Sequence, residues 1–256
     1  MTADTDVEGA PTQLAPGVAA VLFDLDGVVT DTAALHAVAW QRLFDGFLAG
    51  YAGEGDTAPL KLPDDYLAHI DGKPRLDGVR SFLAARGIDL PEGAPDDAPE
   101  LETVHGLARR KDADFVALLE TRGVDVFQGT VALIEELRRR GVGIACVSSS
   151  KHCRTVLDAA GLTPLFDVIV DGTDQEREGL GGKPAPDSFL FAARALGVAA
   201  DAAAVVEDAV SGVAAGRAGA FAQVIGVDRG AGATALTQAG ADVVVDDLAA
   251  LRPDPG

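Results

Sequence analysis

At 256 residues, 48% of them apolar, the chain can hold one large domain or a core with a smaller inserted one, and disorder throughout is excluded. Forty acidic against 21 basic residues give a formal charge of −19, which repels nucleic acid and anionic membrane surfaces, so neither is expected as a partner. A run of three cations, Arg138, Arg139 and Arg140, closes a helical stretch, where cations complement the carbonyl end of the helix dipole.

Residues 1–17 offer little to bury and lack the basic start and apolar core of a leader; they are expected to be a disordered tail on a cytoplasmic protein. From Val18 the run VAAVLFDLDG reads as a buried first strand, because a short apolar stretch is stopped by acidic residues and glycine. A helix over 33–47 follows, then a Gly-, Pro- and Asp-rich loop over 87–99, then a second long helix over 104–119. No strand interrupts these elements, so residues 32–124 are expected to form an inserted helical domain. In TVALIEELRRRG, Val131, Leu133, Ile134 and Leu137 share one helical face. Strand-like runs come next at 141–150, 166–170, 203–206, 220–227 and 243–245, with helices at 186–196 and 210–218 between them. DGTDQEREGLGG reads as an extended loop. Strands alternating with helices imply an α/β fold, a Rossmann-like parallel sheet covered on both faces, over 18–31 and 125–256. Cys146 and Cys153 have no metal-binding spacing, and two thiols in a chain this long fit a reducing compartment and no disulfide.

In an open parallel sheet, ligands bind beyond the carboxyl ends of the strands, where Asp24 and Asp26 lie. Residues i and i+2 of an extended strand face the same way, so one carboxylate can attack a substrate while the other moves a proton; the ordinary alternative is an acidic turn. Ser148, after IACV, is either a hydroxyl donor for phosphate oxygens or a helix cap. Lys183 is a cation stiffened by two nearby prolines, or a surface lysine. Glu207 and Asp208 close the AAAVV run as metal ligands or as acids at a helix N-terminus. Each bland reading stands alone; four strand ends that together supply nucleophile, acid, hydroxyl, lysine and metal ligand favour phosphoryl transfer.

DLDGVVTDT, VSSSK, GGKPAPDSF and VVEDAVSGV, in this order and spacing, resemble the four signature motifs of the haloacid dehalogenase superfamily, from Val18 to about Asp247. The inserted helical segment is similar to the cap domain of its β-phosphoglucomutase-like subgroup. The resemblance implies Mg2+ held by Asp24, Asp208 and the Asp26 carbonyl, with Glu207 behind them, and an aspartyl-phosphate formed on Asp24. It also implies a small phosphorylated sugar as substrate, contacted by His36, Arg75, Lys111, Ser150, Lys151 and His152, the last where the subgroup usually carries asparagine. A mutase of β-glucose 1-phosphate is the first expectation, a sugar-phosphate phosphatase the alternative, a phosphosugar-binding module a distant third, and a monomer is expected.

Overall fold

The computed structural model describes residues 12–70, 73 and 75–252. The chain divides into two compact units, a core of residues 1–31 and 124–256 and a cap of residues 32–123.

The cap is helical: α1 (Ala33–Leu48), α2 (Asp64–His69), α3 (Arg75–Ala85) and α4 (Val104–Arg122). Leu43, Phe44, Phe47, Phe82 and Leu107 fill its centre, and Phe44 stacks on Phe82 with centroids 3.9 Å apart. Thr103 caps α4 by accepting from the Gly106 N–H at 3.0 Å. That bond satisfies one of the donors a helix start leaves unpaired.

The core runs β1 (Thr12–Gln13), β2 (Ala20–Phe23), β3 (Thr30–Asp31), β4 (Asp125–Val126), α5 (Gln128–Arg139), β5 (Gly143–Val147) and α6 (Cys153–Ala159). It continues with β6 (Val168–Val170), α7 (Gly172–Glu178), α8 (Asp187–Ala195), β7 (Ala203–Glu207), α9 (Val210–Ala218), β8 (Gln223–Val227), α10 (Ala233–Ala239), β9 (Val243–Val245) and β10 (Leu251–Arg252). Six strands form one parallel sheet in the order β6-β5-β2-β7-β8-β9. Its middle strand, β2, is fully buried at Ala20, Val21, Leu22 and Phe23, as a strand covered on both faces must be. Truncating Phe23 to alanine would cost about 3–5 kcal/mol. Because β5 and β7 flank β2, the carboxyl ends of these three strands adjoin one another.

Several expectations change. Residues 1–11 of the anticipated tail lie outside the described residues, but 12–17 are ordered: β1 pairs with β10, and Leu14 is buried. The loop before Lys183 contains a helix, α7, started by a capping box between Asp171 and Asp174. On α5 the buried face is Thr130, Leu133, Ile134 and Leu137, while Val131 is only half-buried, because the Thr130 hydroxyl turns inward to donate to the Val28 carbonyl at 2.7 Å. Arg138 pairs with Asp167 at 2.9 Å, and Arg139 and Arg140 both pair with Glu136. Among the described residues no helix is long and apolar enough to cross a membrane.

Candidate active site

Beyond the last residue of β2, the Asp24 N–H still donates to the Val206 carbonyl at 2.9 Å, so the sheet holds the backbone beneath this carboxylate. Lys183 donates to Asp24 Oδ1 and to Glu207 Oε1, and its Nζ lies 5.2 Å from the Phe189 ring centroid. The other Glu207 oxygen accepts from the Ala209 N–H at 3.0 Å, so both oxygens of this buried carboxylate are engaged. One oxygen from each of Asp24, Glu207 and Asp208 lies within 4.8 Å of the others.

The turn after Asp24 needs glycine twice over. Gly27 has φ +85°, a region that side chains strain to enter, and a Cβ there would overlap the Asp208 carboxylate. Asp26 is half-buried on this turn and accepts from Ser148 Oγ at 3.5 Å. Ser148 lies at the end of β5, and its Oγ in turn accepts from the Ser150 N–H at 3.1 Å.

Charge in this cluster is unbalanced. Burial pushes the Asp24 carboxyl well up; Lys183 pulls it down, but Glu207, Asp26 and Asp208 push it up again. Burial and then Glu207 raise Asp208 to about 7, against Lys183. Burial opposes the charge on Lys183, yet Asp24 and Glu207 outweigh it and hold the ammonium firmly protonated. Several carboxylates thus share a single cation in a poorly solvated place. Closely spaced hard oxygen donors with surplus negative charge fit a divalent cation of the magnesium type.

The segment after Ser148 is braced from α7. Gln175 Nε2 donates to the Ser148 carbonyl at 3.1 Å, and the Gly172 N–H to the Ser150 carbonyl at 3.2 Å. Arg154 ties α6 to α7 through Asp171 at 3.0 Å and Asp174 at 2.9 Å. Ser150 Oγ accepts from the His152 N–H at 3.2 Å, and the exposed Lys151 pairs with Glu176 at 2.5 Å.

In the cap, Lys111 is 4% exposed and its Nζ is 2.7 Å from His36 Nδ1. A lysine N–H can donate to this nitrogen when the imidazole proton sits on Nε2. His36 stacks on Phe115 at 4.3 Å, and the Lys111 ammonium lies over the rings of Phe115 at 4.9 Å and Trp40 at 5.5 Å. Arg75, the first residue of α3, pairs instead with Asp112 at 2.8 Å.

Within the core the structure therefore gathers Asp24, Asp26, Ser148, Lys183, Glu207 and Asp208, with Ser150, Lys151 and His152 on the segment after Ser148. Within the cap it joins His36 to Lys111 and leaves Arg75 with Asp112. Sequence reasoning overlooked Asp112 and Gln175. The acidic capping pattern of Asp171 and Asp174 could have revealed α7 and hence Gln175, whereas nothing local marks Asp112 as the partner of Arg75.

A profile of the haloacid dehalogenase-like hydrolases matches residues 18–219. The chain belongs to that family. Among curated relatives it is 52% identical over 240 residues to β-phosphoglucomutase of Mycobacterium tuberculosis, with 91% of each chain covered. It is 31% identical to hexitol phosphatase A of Escherichia coli, covering 89% of this chain and 90% of the relative. Among solved structures of this family, β-phosphoglucomutase of Clostridium difficile superposes with a TM-score of 0.68 at 26% identity, covering 92% of this chain and 93% of that one.

Proposed function

We propose that the chain is a β-phosphoglucomutase that moves a phosphoryl group through an aspartyl-phosphate on Asp24. The observation that carries this reading is the Asp24 carboxylate, buried at the end of the central strand, bonded to Lys183 and clustered with Glu207 and Asp208. Its 52% identity to a curated β-phosphoglucomutase supports the choice of sugar.

Asp24, Asp208 and the Asp26 carbonyl are the groups that would hold Mg2+, with Glu207 behind them, its oxygens already bonded to Lys183 and the Ala209 N–H. When bound, the ion supplies positive charge against the phosphoryl oxygens. The Asp24 carboxylate attacks phosphorus. Lys183 and Ser148 donate to the phosphoryl oxygens as charge develops on them, a contribution typically worth about a hundredfold or more in rate. Asp26 protonates the departing sugar oxygen and later takes the proton of the accepting hydroxyl. His36 belongs to the substrate-binding set, Lys111 contacts the sugar, and Arg75, Ser150, Lys151 and His152 the distal phosphate.

The competing reading is a sugar-phosphate phosphatase. It is favoured by the engagement of two distal-phosphate cations, Arg75 by Asp112 and Lys151 by Glu176, and by the likeness to hexitol phosphatase A. Incubation with Mg2+, β-glucose 1-phosphate and a trace of the 1,6-bisphosphate separates the two. Glucose 6-phosphate with little free phosphate supports the mutase; free phosphate as the main product overturns it in favour of the hydrolase.

A further inference from the structure

The turn that carries Asp26 is fastened almost carbonyl by carbonyl. Leu25 O accepts from the Val29 and Thr30 N–H groups at 2.9 Å each, and Thr30 O from the Gly27 N–H at 2.8 Å. Val28 O takes the Thr130 hydroxyl at 2.7 Å, and Val29 O the Phe127 N–H at 3.1 Å. The Gly27 carbonyl, next to Asp26, is held by a residue from the far end of the chain: Arg229 Nε donates to it at 3.0 Å. The same guanidinium donates through Nη1 to the Asp246 carbonyl at 2.9 Å and lies 3.7 Å above the Phe127 ring centroid.

Among the described residues Arg229 forms no ion pair within hydrogen-bonding reach of a carboxylate, and its Nη2 is one of two buried side-chain polar atoms without a hydrogen-bond partner. Burying an unbonded N–H is unfavourable, so this arginine is not placed to maximise its own bonds. It is placed where a flat cation reaches two carbonyls and one ring. Gly27, with φ +85° and no side chain, is the joint about which the turn can swing, and its two anchors are Thr30 through its N–H and Arg229 through its carbonyl.

We propose that Arg229 is a positioning residue for Asp26: by pinning the Gly27 carbonyl and stacking on Phe127 it keeps the Asp26 carboxyl aligned for proton transfer to the leaving oxygen. The inference rests on the function proposed above, in which Asp26 is the general acid and base. It has a consequence that a purely structural role lacks. A sugar alkoxide is strongly basic and needs the Asp26 proton as its P–O bond breaks. Acetate, leaving acetyl phosphate as Asp24 attacks phosphorus, is weakly basic and departs unprotonated, so that reaction bypasses the alignment.

The test compares wild type, Arg229→Met and Arg229→Lys in Mg2+, following Asp24 phosphorylation by acetyl phosphate and turnover of β-glucose 1-phosphate, with thermal melting as the check on folding. The expected result is a fall of about tenfold to a hundredfold in kcat on the sugar phosphate for Arg229→Met, with KM and acetyl phosphate reactivity within about twofold of wild type. Arg229→Lys, which restores one donor, should recover part of the loss. Equal loss with both phosphoryl donors, or no loss with either, overturns the proposal. If Arg229→Met does not fold, Phe127→Leu removes the stack alone and must show the same selective loss on the sugar phosphate; equal loss with both donors there also overturns it. Wild type that accepts no phosphoryl group from acetyl phosphate removes the function proposed above, and this inference with it.

Discussion

Two lysines, one buried in the cap and one half-buried in the core, are held by different means. Lys183 in the core is bonded to Asp24 and Glu207, carboxylates that end adjacent strands of the sheet. Lys111 in the cap rests against an imidazole and two aromatic faces. An ion pair between strand ends is strong and rigidly aimed, whereas ring faces attract a cation over a broader range of positions. In the proposed reaction the difference would separate chemistry from recognition: the core lysine would meet the charge that develops on the phosphoryl group, and the cap lysine a polar ligand accommodated by small shifts.

The largest break in this contrast is Lys183→Met. It leaves Asp24 and Glu207 as uncompensated buried charges, so kcat should fall by about a hundredfold or more and stability by about 3 kcal/mol, measured by steady-state rates and by denaturant unfolding. Unchanged stability would mean that the pair contributes nothing to the fold. Lys111→Met, an apolar side chain of similar length among rings, should raise KM for β-glucose 1-phosphate about tenfold with stability changed by less than about 1.5 kcal/mol. A kcat loss matching that of Lys183→Met would erase the distinction between the two lysines. Asp112→Asn frees Arg75 from its ion pair and should lower KM for the 1,6-bisphosphate about two- to fivefold; a raised KM would instead make Asp112 a substrate contact.

The smallest effect concerns the brace behind Ser148. Burial opposes ionisation of Asp174, but the Asp171 N–H and the Arg154 guanidinium outweigh it and hold its carboxyl below the usual range. A carboxylate depressed in the folded state stabilises above its unfolded pKa, and that stability is lost as pH falls through the folded value. The Tm gap between wild type and Asp174→Asn should therefore be widest near neutrality and close as pH falls below the ordinary aspartate range; a gap constant with pH would show that ionisation of Asp174 adds nothing.

How much of this was legible depended on how local the signal is. Asp24 and Asp26 stand out because an apolar run and a glycine frame them within ten residues, and Ser148, Glu207 and Asp208 follow similar runs. The parallel sheet was legible for the same reason, each strand being a short apolar run between helices. The α7 helix was missed because GTDQERE is polar and flanked by glycines, although the acids that start it, Asp171 and Asp174, are a helix signal. The pairing of β1 with β10 spans nearly the whole chain and rests on two residues per strand, too few to form a pattern. Arg229 reaches Gly27 across 202 positions, and nothing in its neighbourhood announces that contact. Cys146 and Cys153 remain free thiols with sulfurs 3.8 Å apart, brought together by the turn from β5 into α6, which their spacing of seven does not reveal.

The measurement that bears most directly on the account is to treat the protein with Mg2+ and acetyl phosphate, digest it rapidly under acid and locate the phosphoryl group by mass spectrometry. One acid-stable, base-labile phosphate is expected on Asp24 and absent from Asp24→Asn. A phosphate on any other residue, or none while sugar-phosphate turnover proceeds, would contradict it.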